Sequence, residues 1–224
     1  MKLYYHPAST TSRMVQLFAL EEGIALEYQV VDIFTGEHLK AEYLAINPNG
    51  LVPVLEDGDF RLTESSAILK YLADKAGSAA YPKDLKARAR VNELMDWFNA
   101  NFYKDFGYGL IYAQLFPHHK RPSEESQSVT VAWGREKSQR WLKILDGQFL
   151  GSGGTYLCGD RITLADYFGA EMVACGDLVR CQFADYPNVR RWLGTMKGLK
   201  SWARVHEVAD GFAASLKDKT FVTI

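Results

Sequence analysis

A turn rich in hydroxyl side chains lies near the start of the chain, between a short apolar run and an amphipathic segment. The apolar run covers residues 3–5 (LYY), and the turn that follows carries Ser9, Thr10 and Ser12. A strand that passes through this turn into a helix presents the unpaired N–H groups and partial positive charge of a helix N-terminus. Such a terminus stabilises an anion, including a thiolate. A thioredoxin-like oxidoreductase would carry Cys-x-x-Cys here, so the hydroxyl residues predict a turn that holds the sulfur of another molecule.

Ser9 is the candidate that donates a hydrogen bond to this sulfur, with Thr10 and Ser12 as alternative hydroxyls. A free thiol titrates near about 8.5, and serine cannot take its proton because the serine alkoxide is far more basic. A hydrogen bond to the thiolate, together with the helix dipole, lowers the pKa of the thiol instead. The structural alternative is that Ser9 or Thr11 acts only as an N-cap, which stabilises a helix by about 1 kcal/mol.

A second candidate element is the segment 47–54, which reads NPNGLVPV. A proline just before a strand indicates either an edge strand or a cis peptide bond. In the cis form, the N–H and C=O of Val52 would point outward and be free to pair with a peptide-like ligand in strand fashion. A trans Pro53 at a sheet edge is the simpler alternative.

Two further segments carry candidate binding groups for charged ends of a ligand. Glu64 and Ser65 open a helix, so the Ser65 hydroxyl and the neighbouring N–H groups suit a carboxylate, and Glu64 suits an ammonium group. His38 and Lys40 form a basic pair that suits a second carboxylate. Each feature alone has an ordinary alternative, namely a helix start or a surface histidine.

The first 78 residues alternate strand and helix signals. Strands are expected over residues 3–5 and 28–33, and a hairpin at Asp57-Gly58 between residues 54–55 and 60–62. Helices are expected over residues 12–22, where Gly23 ends the pattern, and over residues 65–76. The order βαβ and then ββα predicts a mixed sheet covered by helices.

Residues 79–84 read as a linker, and residues 85–224 are helical in pattern. A helix is expected over residues 126–149, a capping box at Thr163–Asp166 opens a core helix, and another helix starts at Pro187. The tail from Lys217 is expected either to fray or to fold over a cleft. An aromatic run early in this half is the candidate lining of an apolar pocket between the two domains, with core packing as the alternative: Tyr103, Phe106, Tyr108, Tyr112 and Phe116.

Composition excludes several classes of protein. The 224 residues carry a net charge of −1 without a basic block, which argues against a nucleic-acid partner. No apolar run is long enough for a membrane span, and the N-terminus lacks a signal-peptide pattern, so a cytoplasmic protein is expected. The three cysteines fit neither a zinc nor a disulfide motif, and Cys175 and Cys181 are expected to be small buried hydrophobic residues.

Taken in order, these stretches resemble the glutathione S-transferase family, most closely the serine-type theta- and delta-like group with its bacterial members. The resemblance spans nearly the whole chain and is carried by residues 4–13, 36–40, 47–53, 64–72, 81–91 and 162–166. It implies α/β plus all-α architecture, with a thioredoxin-like glutathione-binding domain at 1–78, a linker at 79–84 and a helical domain at 85–224. It also implies a homodimer whose cleft lies between the two domains of each subunit.

The resemblance assigns roles residue by residue. Ser9 matches the hydroxyl that stabilises the glutathione thiolate, and Val52, followed by a cis Pro53, matches the residue whose backbone pairs with the cysteinyl unit. Glu64 and Ser65 match the residues that hold the γ-glutamyl end, and His38 matches a histidine that faces the glycine end. Glutathione is then a co-substrate, and neither a permanently bound cofactor nor a metal is expected.

Two departures from the family pattern affect the glutathione site. Relatives carry a lysine where this chain has Leu51 or a histidine where it has Gly50, and both residues normally contact glutathione, so one polar contact is expected to be missing or replaced. The loss of one hydrogen bond to a charged group lowers affinity by about 1.5–3 kcal/mol, and Lys40 is a candidate substitute. After Trp97, residues 98–101 lack the carboxylate of theta-like relatives, so no contact across subunits is carried over.

The leading functional hypothesis is conjugation of the glutathione thiolate to a small apolar electrophile held in the aromatic pocket. Binding both molecules side by side removes much of the entropic barrier. The alternatives are a glutathione-dependent reductase, isomerase or dehalogenase on the same scaffold, and a non-catalytic glutathione-binding protein.

Overall fold

The computed structural model describes residues 1–224, and its first part is a four-stranded mixed sheet. The strands are β1 (Lys2–Tyr5), β2 (Glu27–Val30), β3 (Val54–Asp57) and β4 (Phe60–Leu62), and their order across the sheet is β2-β1-β3-β4. Strand β1 runs parallel to β2 and antiparallel to β3, and β3 and β4 form the hairpin that Asp57-Gly58 predicts. The thioredoxin-like sheet with its flanking helices is therefore confirmed.

Helices α1 (Thr10–Glu21), α2 (Ala41–Leu44) and α3 (Ser65–Ala76) accompany the sheet. Helix α1 begins two residues before its predicted start because Ser9 is the N-cap, and α3 has its predicted bounds. The second strand was predicted over 28–33 but ends at Val30. It ends there because its partner β1 ends at Tyr5, which pairs with Val30, and the chain then turns on the Asp32 side chain.

The rest of the chain is helical. The α-helices are α4 (Leu85–Trp97), α5 (Ala113–Leu115), α6 (Glu124–Ile144), α7 (Leu164–Ala174), α8 (Pro187–Lys197) and α9 (Trp202–Ser215). Three segments have the wider π-helical turns, namely Phe98–Phe102, Lys104–Tyr112 and Leu145–Phe149. Short 3-10 turns cover Glu37–Leu39, Pro117–His119 and Cys175–Val179. The helix predicted over 126–149 starts at Glu124, because Ser123 and Ser126 form its capping box, and widens after Ile144.

One continuous apolar core joins the sheet to the helical half. Helix α1 packs on α7, with the Phe18 and Tyr167 rings 5.3 Å apart. Cys175 and Cys181 are buried in this core as predicted, and burial raises the pKa of both thiols. Helix α1 of the first part is thus held directly by the second part.

The C-terminal tail lies against the helical half rather than fraying. The Val222 backbone exchanges two hydrogen bonds with the Gln114 side chain, at 2.8 and 3.0 Å, and the Gln182 N–H donates to the Ile224 carbonyl at 2.8 Å. A surface cleft of about 800 Å³ lies between this tail and α6, and none of the predicted site residues lines it. No helix combines the length and apolar character that a membrane crossing requires.

Helix α6 crosses the wide-turn segment 104–112 at two glycines, Gly134 and Gly109. A Cβ placed on Gly134 would lie 2.5 Å from the Gly109 carbonyl carbon, a distance at which backbone must move. We therefore expect Gly134→Ala to destabilise the protein by about 1–3 kcal/mol, as overpacking does. Urea unfolding measures this loss.

The matched control is Gly147→Ala, because a Cβ at Gly147 meets nothing within 4 Å and the residue lies in a helical segment. Alanine there should leave stability equal or slightly higher. Equal unfolding midpoints for the two variants would contradict the close packing of α6 on the wide-turn segment.

Candidate functional site

The Ser9 hydroxyl lies at the N-terminus of α1, where it has two protein partners. Its oxygen accepts a hydrogen bond from the Ser12 N–H at 3.3 Å and lies 3.1 Å from the Thr11 hydroxyl. Thr11 donates its single hydroxyl proton to the Val52 carbonyl at 3.0 Å, so the proton between the two hydroxyls belongs to Ser9. A bound thiolate would therefore compete with Thr11 for the one proton that Ser9 can donate.

The alternative hydroxyls are less suitable for a ligand. Ser12 is fully buried, and its oxygen faces the His6 N–H at 3.4 Å. Thr10 is 5% exposed and is hydrogen-bonded to the Tyr112 hydroxyl at 2.9 Å. The backbone N–H groups of Thr10 and Thr11 have no acceptor in the protein. The half-buried Ser9 thus offers the hydroxyl that is most open to a ligand beside free N–H donors.

The turn before Ser9 depends on a neutral His6. The Ala8 N–H donates to Nδ1 of His6 at 3.1 Å, so Nδ1 must be unprotonated. Burial lowers the pKa of His6 below its usual 6.5, against the opposing attraction of the Asp32 carboxylate. The fold therefore holds this ring in the state that accepts the hydrogen bond.

This depressed pKa makes stability depend on pH. Below about 6.5 the unfolded chain takes up a proton at His6 before the folded protein does, so the free energy of unfolding should fall as the pH drops from 6.5 toward the folded pKa. Urea unfolding at about pH 7.5 and pH 5 measures this loss. His6→Asn should reduce the loss, because an amide oxygen can accept from Ala8 without titrating. His119, whose pKa burial also lowers, contributes equally to both proteins; an identical loss in both would contradict the assignment.

The Val52–Pro53 peptide bond is cis, as the resemblance implies. The prediction that both backbone groups of Val52 are free is half wrong. The carbonyl accepts the Thr11 hydroxyl, whereas the Val52 N–H donates to no acceptor in the protein. Thr11 thus links this sheet edge to the turn that carries Ser9.

The start of α3 has an unusual backbone. Glu64 has φ 64° and ψ 111°, which non-glycine residues adopt only at a cost and which is often found at functional sites. The N–H groups of Ser65, Ser66 and Ala67 have no acceptor in the protein, and Glu64 is exposed without an ion-pair partner. The N–H groups predicted to bind a carboxylate and the Glu64 carboxylate predicted to bind an ammonium group therefore lie side by side, and neither has a partner in the protein.

The loop before Val52 leaves little room for a side chain at position 50. Gly50 has φ +61°, and a Cβ there would lie 3.1 Å from the Leu39 side chain and 3.2 Å from the His38 carbonyl oxygen. Leu51 points its apolar side chain outward, 61% exposed, and supplies no polar contact. His38 is half-buried with Nδ1 unpartnered, and Lys40 is exposed and forms no ion pair. The two remaining basic groups here are therefore free.

The aromatic run divides into core and surface. Phe106 is fully buried against Phe102, at 4.8 Å between ring centroids, so its prediction as a pocket residue is wrong. Tyr103 is also buried, and its hydroxyl lies 2.5 Å from that of Tyr112, so it supports the site from behind. Tyr108 is 48% exposed; burial of its remaining surface raises its pKa, with smaller contributions from Cys175 and Glu64.

An arc of four rings, Phe34, Phe212, Phe116 and Tyr112, crosses from the sheet to the helical half beside the Ser9 turn. Phe34 packs on His6 at 5.0 Å and on Phe212 at 6.2 Å, and Phe116 stacks on Phe212 at 6.0 Å and packs on Tyr112 at 5.4 Å. Tyr112 closes the arc through its hydrogen bond to Thr10. Sequence reasoning identified Tyr112 and Phe116 but missed Phe34 and Phe212, which carry no local signal.

A thioredoxin-like sheet is followed by a helical half, and the hydroxyl-bearing start of α1 is tied to a cis-proline edge. Together these features define a class of two-domain proteins whose first domain is thioredoxin-like. Comparison with known proteins identifies the family. The model of the glutathione S-transferase N-terminal domain matches residues 3–80, and that of the C-terminal domain matches residues 111–200. The chain belongs to the glutathione S-transferase family, so the family resemblance is confirmed.

Individual relatives agree over the full length. Human glutathione S-transferase theta-2 is 35% identical over an alignment that covers 100% of this chain and 92% of the relative. The crystal structure of human theta-2 in complex with glutathione and an unknown ligand has a TM-score of 0.85 at 32% identity, covering 100% of this chain and 93% of that one. A delta-class transferase of Nilaparvata lugens has a TM-score of 0.82 at 32% identity, covering 96% and 98%.

Proposed function

We propose that this protein catalyses conjugation of glutathione to small apolar electrophiles, with Ser9 as the catalytic hydroxyl. The observation that carries the proposal is the juxtaposition of Ser9, free N–H groups at the start of α1 and the unpaired Val52 N–H, which Thr11 ties into one unit. The proposal is also supported by the crystal structure of human theta-2, which contains glutathione and matches this chain with a TM-score of 0.85.

Each end of the tripeptide meets a complementary group in this proposal. The Val52 N–H pairs with the carbonyl of the cysteinyl unit, and Pro53 and the Leu51 backbone shape the groove edge. The free N–H groups and hydroxyl of Ser65 receive the γ-glutamyl carboxylate, and Glu64 receives its ammonium. His38 and Lys40 face the glycine carboxylate and take the place of the lysine that relatives carry at the position of Leu51.

The chemical step follows from these positions. The thiol releases its proton to solvent, and Ser9 turns its hydroxyl proton from Thr11 to the thiolate, whose charge the α1 terminus also stabilises. The electrophile lies against Tyr108, Tyr112 and Phe116, and the thiolate sulfur attacks its carbon. A C–S bond forms while the leaving group departs with its electron pair. Proximity of the bound pair supplies much of the rate.

A panel of electrophiles tests this proposal. Purified protein is assayed with glutathione and a chlorodinitrobenzene, a benzyl halide, an epoxide, an organic hydroperoxide and a halogenated acid, and products are identified by mass spectrometry. Conjugates are expected. Oxidised glutathione without conjugate would indicate the reductase alternative, and release of halide or an isomer with glutathione regenerated would indicate a dehalogenase or isomerase. Failure of the protein to bind glutathione in calorimetry would overturn the proposal.

We also propose a cytoplasmic homodimer with a glutathione-binding domain at 1–78 and an electrophile-binding domain at 85–224. Three unpaired cysteines suit a reducing compartment, where glutathione is abundant. The exposed apolar side chains of Leu51 and Phe60 on the sheet half are the kind of surface that a subunit interface covers. Sedimentation equilibrium measures the assembly, and a monomer at micromolar concentration would contradict it.

A further inference from the structure

Three ionisable side chains from three helices meet in the core behind the Ser9 turn. Arg13 from α1, Glu171 from α7 and His206 from α9 are each at most 3% exposed. Nε of Arg13 donates to Oε2 of Glu171 at 3.1 Å, and Nε2 of His206 lies 3.2 Å from the same oxygen. The other carboxylate oxygen, Oε1, has no partner.

Stability alone does not account for this cluster. Removing charges from water is expensive, and apolar residues of similar volume often stabilise a core as well or better. The unpartnered Oε1 adds a further desolvation cost. A function that needs a fixed guanidinium at this place would account for the cluster.

The second hydrogen bond of Arg13 points to that function. Its Nη1 donates to the Ala8 carbonyl at 2.9 Å, and the Ser9 N–H, in the same peptide plane, donates to the His6 carbonyl at 2.9 Å. The peptide plane before Ser9 is therefore held at both ends. Because this plane helps to fix the Cα–Cβ direction of Ser9, its orientation limits where the hydroxyl can point.

We propose that Arg13 is a positioning residue for Ser9: held from the helical half by Glu171 and His206, its guanidinium fixes the Ala8–Ser9 peptide and so aims the Ser9 hydroxyl. This inference rests on the proposed role of Ser9. It makes the geometry of the thiol site depend on the docking of α7 and α9 against α1.

His206 completes the packing around the Glu171 carboxylate. Nδ1 of His206 lies 3.1 Å from the Trp202 carbonyl oxygen, and Nε2 lies 3.2 Å from Oε2 of Glu171 without hydrogen-bond geometry. The ring also stacks on Trp202 at 3.9 Å between centroids. Burial opposes the Glu171 charge, but Arg13 and His206 hold its pKa below the usual value. The ionised carboxylate of Glu171 therefore keeps its hydrogen bond to the Arg13 guanidinium.

Arg13→Lys tests the proposal, because an ammonium keeps the charge but cannot reproduce the fixed fork that binds Glu171 and Ala8 together. We expect kcat/KM for conjugation to fall about tenfold or more, since small misplacements of reacting groups have effects of this size. The pKa of bound glutathione should rise by about half a unit or more, whereas KM for glutathione should change little. The Ser9 amide should exchange with solvent faster.

The matched control is Arg88→Lys. Arg88 also binds one carboxylate, Asp74, and one backbone carbonyl, that of Pro82, but at the junction before α4. This control should leave the pKa of bound glutathione and kcat/KM unchanged. If folded Arg13→Lys has the wild-type thiol pKa and the wild-type kcat/KM, the proposal is overturned.

A double variant, Arg13→Gln with Glu171→Gln, covers the case in which Arg13→Lys fails to fold. Two hydrogen-bonded amides replace the buried pair without leaving an uncompensated charge. The thiol pKa should still rise, and a wild-type pKa would overturn the proposal. If the wild-type protein binds no glutathione, the proposed function fails, but exchange of the Ser9 amide still decides whether Arg13 holds the turn.

Discussion

Ser9→Ala is expected to lower kcat/KM for glutathione conjugation by about two orders of magnitude, the effect of removing one preorganised donor to a developing anion. Ser9 is the half-buried hydroxyl at the start of α1, and its proton is committed only to Thr11. Loss of a hydrogen bond to a charged group is worth about 1.5–3 kcal/mol, which corresponds to a rise of about one to two units in the pKa of the bound thiol. Thiolate absorbance as a function of pH measures this rise.

The same substitution also removes the N-cap of α1, which costs about 0.5–2 kcal/mol of stability. Ser123→Ala separates this effect from the chemistry, because Ser123 caps α6 in the same way, accepting from the Ser126 N–H at 3.2 Å at an exposed position. This control should lose comparable stability and keep its full activity and thiol pKa. An unchanged thiol pKa in Ser9→Ala would exclude the proposed role of the hydroxyl.

Asp166→Ala is expected to destabilise the protein by about 4 kcal/mol or more, because several buried donors lose their acceptor at about 1–3 kcal/mol each. The carboxylate accepts the Leu157 N–H at 2.8 Å, the Trp192 indole N–H at 2.9 Å, and the N–H and hydroxyl of Thr163 at 2.8 and 2.9 Å. It therefore ties the start of α7 to α8 and to the loop before it. Such a loss is a large fraction of the stability of a typical protein.

Asp84→Ala is the matched control for this residue. Asp84 caps α4 by accepting the Lys86 and Ala87 N–H groups at 3.1 and 2.9 Å, but it is exposed, so its loss should cost only about 1 kcal/mol. Urea unfolding of both variants, followed by tryptophan fluorescence, gives the comparison. Equal losses would show that Asp166 acts only as a helix cap.

Local motifs account for most of the secondary structure that could be predicted. The start of α3 at Ser65, the hairpin at Asp57-Gly58 and the capping box at Thr163 all depend on residues a few positions apart. The end of β2 was misplaced because a strand extends only as far as its partner, and that partner is distant in sequence.

The aromatic run shows where periodicity failed. Spacing of four residues placed Tyr108 and Tyr112 together, and their rings lie 5.4 Å apart. Tyr103 joins the same strip at 5.3 Å from Tyr108, because the segment 104–112 has wider turns than the α-helical period assumes. Phe106, one of the candidates, instead faces the core.

By itself, the sequence determined the family, the two-part architecture and the candidate thiol site, because these rest on short motifs in a specific order. Only the tertiary structure decided that Phe34 and Phe212 complete an aromatic arc and that Arg13 meets Glu171 and His206. Phe34 lies more than a hundred positions from Phe212, and Arg13 more than a hundred from both Glu171 and His206, so these contacts depend on how α1, α7 and α9 pack. No local propensity specifies such packing, because it follows from the fit of whole helices around one core.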